Sequence, residues 1–361
     1  MKYTYKLAIL LFLIPALSFG NNDKKKHEKS KNVSKKYTVN SDAKVAISNK
    51  YGTIKVTTWN KNTVEIDVTI TVKGNDLDDV EDKLSDIYID FSGSSNLVEA
   101  KTRFGNDRRN SWSWFKKSKK INYQIDYLVK MPVTNDVSLN NDYGSIYLDE
   151  TTGNANINCD YGKISIGNLK GNENTINLDY CRSSSISSMS DGSINIDYSK
   201  LTIDSAKNVD LNTDYSTVKF GRASDISFNA DYGSIYAKEV DNVKGNGDYT
   251  GLKFGTLNNS LKVKSDYGYI KIENLANGFD FVDIDSEYAG IKIGTSTSNS
   301  FSFVIDLQYA SFKQRNSPNV ELFKSISKSS KKHYEGVYGK GKSNSKITIK
   351  SEFGSVSFDE N

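Results

Sequence analysis

The chain has 361 residues, enough to bury a sizeable core, yet only 37% of them are hydrophobic and three are proline, as expected for many short strands with polar outer faces. Its formal charge of +4 is unevenly held, with seven Lys in 23–36, six Lys or Arg in 105–120 and seven Lys in 324–346, while the remainder is acidic. These basic stretches read as loops or tails with no recognition motif beside them, which argues against nucleic acid as a partner.

Lys2 and Lys6 precede an apolar run over 7–19 that is short for a membrane span, and Ser18 and Gly20 are the small residues before a cleavage site. This pattern predicts a signal peptide over 1–20 and export to the periplasm, the cell surface or the medium. No later run is long enough to cross a membrane, so no transmembrane segment is expected in the mature chain. Residues 21–36 read as a Lys-rich disordered tether, with binding to anionic envelope polymers as the alternative.

Residues 37–133 have mixed grammar. Alternation over 64–72 predicts a strand; Asn75 then caps a short helix with Leu77, Val80 and Leu84 on one face, and strands follow at 87–91, 96–104 and 121–131. This segment is read as an N-terminal coil and capping region. Within it, 105–120 holds Arg108, Arg109, Trp112, Trp114, Phe115, Lys116 and Lys117. Aromatic and cationic side chains together suit an anionic polysaccharide or an envelope surface, through stacking, cation-π and charge contacts. The competing reading folds both tryptophans over the end coil and leaves the charges solvated.

From Asp142-Tyr143-Gly144 onward an acidic or amide residue, an aromatic and a small residue recur, ending at Glu352-Phe353-Gly354, for eleven copies in all. The aromatic returns every 17 to 19 residues from Tyr143 to Tyr267 and then twice at 21. Such a period predicts a parallel β-solenoid (β-helix) of about 17–21-residue coils over 134–315, with 316–361 as a C-terminal coil and cap. An earlier copy, Lys50-Tyr51-Gly52, falls outside the array. Counting each tyrosine as position n, apolar residues at n−6, n−4, n+3 and n+5 are predicted to fill the core, and Asn at n−3 to form a ladder.

The acid at n−1 would repel its neighbours, and three devices could offset this: an Asx-turn, Lys at n+4, or Ca²⁺. Turn capping is the expectation, because the nonapeptide that winds around calcium is absent. The tyrosines share parity with inward n−2 and n−4, which places each ring at the rim of the core with its hydroxyl in water; the alternative is an exposed column on which sugar rings stack. Cys159 and Cys181 lie out of register, at n−2 and n+1 of adjacent copies, and read as two buried thiols rather than a disulfide.

The repeats at 50–54, 142–146, 231–235 and 266–270, following a signal peptide and a strand-helix-strand insert, resemble the bacterial putative-adhesin domain family of unknown function. The resemblance spans roughly 37–361 and implies a β-solenoid at the cell envelope. It supplies no catalytic residues and no cofactor. The chain has two histidines, His27 and His333, and shows no Ser-His-Asp, Cys-His or zinc spacing. Solenoid polysaccharide enzymes work with Asp, Lys, Arg and Tyr, but an active site should break the repeat, whereas these acids occupy every copy. The expected function is therefore a non-enzymatic, adhesin-like protein binding envelope or extracellular polymers, with a ligand-free scaffold and a carbohydrate-active β-helix enzyme as alternatives.

Overall fold

The computed structural model describes residues 25–105, 120–313 and 317–360. They form an all-β fold whose one helix, among the described residues, is short. Two compact units divide the chain, residues 1–167 and 168–361.

In the first unit β1 (His27–Thr38), β2 (Lys44–Lys50), β3 (Thr53–Trp59) and β4 (Thr63–Gly74) precede helix α1 (Leu77–Asp86). After α1 come β5 (Ile87–Gly93), β6 (Leu97–Phe104), β7 (Asn122–Pro132), β8 (Asp136–Asp142), β9 (Ser145–Thr151) and β10 (Ala155–Asp160), and β11 (Lys163–Leu169) leads into the second unit. The helix begins one residue later than expected: Asp76, not Asn75, is its cap, accepting a hydrogen bond from the Asp79 N–H at 3.1 Å. Val80 is its buried residue, whereas Leu77 is exposed.

The early copy at Tyr51 belongs to the same stack as the first unit's copies at Tyr143 and Tyr161. Strand β2 pairs in parallel with β8 from Lys44↔Asp136 to Lys50↔Asp142, and β3 pairs with β9. On the opposite edges of β2 and β3 lie β6 and β7, again parallel. β6 and β7 thus add a further parallel layer to β2 and β3.

Residues 27–36, expected to be disordered, are strand. β1 pairs antiparallel with β4 along its whole length, from His27↔Gly74 to Thr38↔Thr63. Composition misleads here because the lysines find partners. Lys29 meets Glu81 at 3.0 Å and Lys36 meets Glu65 at 2.7 Å. Lys31 donates to the Leu84 carbonyl at 2.5 Å, near the helix C-terminus where a cation is favoured.

The second unit contains β12 (Asn174–Asp179), β13 (Ser184–Asp197), β14 (Lys200–Asp214), β15 (Thr217–Leu275), β16 (Phe281–Thr295), β17 (Phe301–Gln308), β18 (Val320–Lys328), β19 (Lys331–Tyr338), β20 (Lys346–Glu352) and β21 (Val356–Glu360). Adjacent repeats pair in parallel at an offset of one period, as in Leu211↔Phe228 and Ile270↔Ile291. The 59 residues of β15 are not one straight strand, since Tyr232, Tyr249 and Tyr267 within it turn the chain at φ between 50° and 54°. The apolar residues at the expected inward positions are buried, among them Leu211, Val218, Phe220, Ile235, Ile270 and Ile272, while the irregular copy at Tyr180 has exposed Ser183 and Ser185 there.

In the C-terminal segment a hairpin precedes the last copy of the repeat. Only β18 and β19 form an added antiparallel hairpin, on β17. Strands β20 and β21 carry the array's own pattern, with Ile347 and Ile349 inward, and pair in parallel with β16, while β20 also pairs with β17. The last copy in sequence therefore lies between the two before it.

Candidate functional site

Each column tyrosine occupies the left-handed region, at φ between 48° and 64°. That conformation costs a residue with a Cβ about 1 kcal/mol or more. It also reverses the alternation, so the ring swings outward instead of sharing the inward parity of n−2 and n−4. The small residue after it is needed for contact between layers: a Cβ on Gly162 would stand 1.7 Å from the Gly144 carbonyl oxygen.

In the second unit the rings follow the order Tyr180, Tyr198, Tyr215, Tyr232, Tyr249, Tyr267, Tyr288, Phe353, Tyr309. Neighbouring centroids are 4.6–5.0 Å apart and the planes within 2–6° of parallel. They are 42–61% exposed, so the rim placement is corrected in favour of an exposed column. Sugars, however, cannot stack along its interior, because each ring there is covered on both faces by its neighbours and only edges and hydroxyls meet solvent. Such pairs contribute about 0.5–1.5 kcal/mol each, enough to offset the backbone strain. Desolvation by the neighbours, followed by the repulsion of adjacent phenols, raises the Tyr198, Tyr232 and Tyr267 hydroxyls above the usual tyrosine range.

In the first unit Tyr51, Tyr143 and Tyr161 stack at 5.2 and 5.1 Å. Tyr123 packs edge-on against Tyr51 at 5.0 Å, Phe104 lies 5.6 Å from Tyr123, and the Lys83 ammonium sits 4.8 Å and 5.1 Å from the Phe104 and Tyr123 rings. These are the stems of the 105–120 segment. Its predicted ligand residues, Arg108, Arg109, Trp112, Trp114, Phe115, Lys116 and Lys117, lie outside the described residues.

The face before the column bears the expected amide ladder. Asn195 donates to Asn177 at 2.8 Å, Asn212 to Asn195 at 3.1 Å, Asn229 to Asn212 at 3.5 Å and Asn246 to Asn229 at 3.2 Å. Beside it Asp197, Asp214 and Asp231 form an exposed column, and a shallow groove of about 320 Å³ runs between the two. The Asx-turn expected of these acids is not made; among the described residues no N–H donates to the three carboxylates, because the turn bonds run from backbone to backbone, as from the Tyr215 N–H to the Asp231 carbonyl at 3.0 Å. The lysines at n+4 do not neutralise the column either. Lys253 and Lys271 both pair with Glu273 at 3.0 Å on the other face.

Among the described residues, no three His, Cys, Asp or Glu side chains are placed to hold a metal ion, and no helix is long and apolar enough to cross a membrane. Cys159 and Cys181 are free and buried. His333, which sequence reasoning left without a role, bridges Asp306 and Glu335 at 2.6 Å on each ring nitrogen. The hydrogen bond to Asp306, then that to Glu335, raises its pKa. No spacing along the chain marks this trio, because Asp306 comes from β17.

No family model matches the chain, and no curated protein does. Solved structures that resemble it include a "putative adhesin" from Parabacteroides merdae, 15% identical over 72% of this chain and 95% of that one, with a TM-score of 0.33. Another "putative adhesin", from Bacteroides fragilis, is 12% identical over 91% and 97%, with a TM-score of 0.24. A "putative lipid binding protein" from Parabacteroides distasonis is 8% identical over 91% and 96%, with a TM-score of 0.31. At scores this low the likenesses carry no inference to this chain.

Proposed function

We propose that the chain is an exported, non-enzymatic, adhesin-like protein wound as a parallel β-solenoid of about 17–21-residue coils, binding polymers of the cell envelope or the extracellular space. In this reading residues 1–20 are the export signal and 37–133 the capping region. The observation that supports it is the outer surface of the second unit, where Asn at n−3, Asp at n−1 and Tyr return together in the five layers from Tyr180 to Tyr249, about 4.8 Å apart. A surface with a translational repeat matches a polymer with one, and many weak contacts in register add to avidity. The 105–120 segment is kept as a contact for anionic polymers.

A ligand-free scaffold is the second reading. It is favoured by the ring faces and the Asn ladder, which satisfy one another and leave few groups free. A glycan array probed with the mature chain separates the readings: binding without turnover supports the first, and turnover would mean a carbohydrate-active enzyme. Absence of binding to every glycan and to isolated envelope polysaccharide leaves the scaffold.

A further inference from the structure

The face after the tyrosine column breaks its pattern at one place. At position n+2, successive layers of the second unit present Thr217, Ser234, Gly251, Tyr269, Gly290 and Ser355. A full-size ring thus stands between two glycines. A Cβ on Gly251 would come within 2.7 Å of the Tyr269 ring, so the ring lies over that glycine. On its other side, a Cβ on Gly290 would meet nothing within 4 Å. The space left is a groove of about 340 Å³, lined by Tyr269, Lys271, Gly290, Lys292, Lys313 and Ser355 among others.

Tyr269 is 47% exposed, and among the described residues no other aromatic ring stacks on it, in contrast to the column rings. Lys271 is engaged by Glu273 at 3.0 Å. Lys292 and Lys313 have no carboxylate within ion-pair distance among the described residues. The groove therefore offers one free aromatic face, a glycine floor and two uncommitted ammonium groups. A pyranose packs its C–H face on such a ring, and lysines are strongly hydrated point charges suited to a carboxylate or sulfate.

We propose that this groove binds one anionic pyranose unit of a polysaccharide, its sugar ring on Tyr269 and its acid group between Lys292 and Lys313. The inference rests on the polymer-binding reading and gives that reading a ligand class and a place. A neutral sugar would leave both lysines unused, and a simple anion would leave the ring unused.

The test measures binding of the full chain to oligogalacturonate, to dextran sulfate and to neutral dextran at several salt concentrations. The parent should bind at least one of the anionic polymers and not the neutral one; the carboxylate and sulfate arms identify the acid group. Tyr269→Ala should weaken binding about five- to tenfold. Lys292→Ser with Lys313→Ser should remove most of its salt dependence. Gly290→Phe fills the groove with all charges in place, and should weaken binding at least as much as Tyr269→Ala without lowering the melting temperature. Should Tyr269→Ala and Gly290→Phe bind as the parent does, polymer binding stands and this site falls. Equal binding to neutral dextran overturns the anionic class, and a parent that binds none of the three overturns this proposal, while the polymer-binding reading falls only if the glycan array and isolated envelope polysaccharide are negative as well.

Discussion

The two faces that flank the tyrosine column in the second unit share strands and period but solve different problems. Before the column, the five layers from Tyr180 to Tyr249 repeat Asn and Asp, and the amides bond one another up the stack from Asn177 to Asn246. After it, successive layers present small residues at n+2, Thr217, Ser234 and Gly251, until Tyr269 lies down on Gly251 and opens the groove over Gly290. Exact repetition lets side chains satisfy their own copies and so favours stability. A departure from repetition leaves groups unsatisfied, and these are the ones available to a ligand.

That contrast presupposes that both faces are outer faces, and the largest expected effect tests this. Ile235 and Ile270 follow the column by three residues and are 0% exposed. Replacing either with Asp places an unpaired charge in the core and should cost several kcal/mol, read as a collapse of the denaturant midpoint. An unchanged midpoint would void the inward-outward assignment on both faces.

The column that divides the faces comes next. Tyr215 sits at φ 49° with a ring on either side, at 5.0 and 4.8 Å. Tyr215→Val loses both stacks and puts a β-branched residue in the left-handed region, for an expected loss of about 2–3 kcal/mol. Tyr215→Asn loses the same stacks but tolerates that conformation, and should cost about 1 kcal/mol less. Equal losses in chemical denaturation would mean that backbone strain has no part in the column.

A smaller effect is expected where the added hairpin meets the array. His333 is held by Asp306 and Glu335, with Lys324 acting in the opposite direction on its charge. Its folded pKa lies above 6.5, so its contribution to stability is fully present below that pH and is lost as pH rises through the folded value. Stability measured against pH should decline over that window, and His333→Gln should flatten the decline. An unaltered slope in the variant would show that other groups carry it.

Much of this was legible in the sequence for one reason: a repeated period reports which residues share a column. The buried positions and the Asn ladder followed directly. The ring orientation did not, because alternation assumes extended backbone and the tyrosines leave it. The layer order at Tyr51 and Phe353 was hidden by insertions, which separate in sequence what the register reunites. Lysine content alone made β1 look disordered, since composition does not show that Glu81, Glu65 and the Leu84 carbonyl await it. Tyr269 was visible all along as the one aromatic between two glycines at n+2, but only when the copies are aligned by column rather than read along the chain.

The smallest expected effect sharpens the contrast on the side of repetition. Asp214 stands in register with Asp197 and Asp231, all exposed. At the spacing of parallel strands, about 4.8 Å, each pair repels by roughly 1 kcal/mol in water, and no turn bond to these carboxylates offsets it. Asp214→Asn removes two repulsions and extends the amide chemistry of the adjacent ladder. It should raise stability by up to about 1 kcal/mol at low ionic strength, with the gain fading as salt screens the parent. Melting in EDTA and in calcium completes the measurement. Without metal ligation the parent melts alike in both; a calcium-dependent rise that Asp214→Asn abolishes would make the column a cation site. Destabilisation at every salt concentration would instead mean that the carboxylate makes a bond the present geometry does not contain.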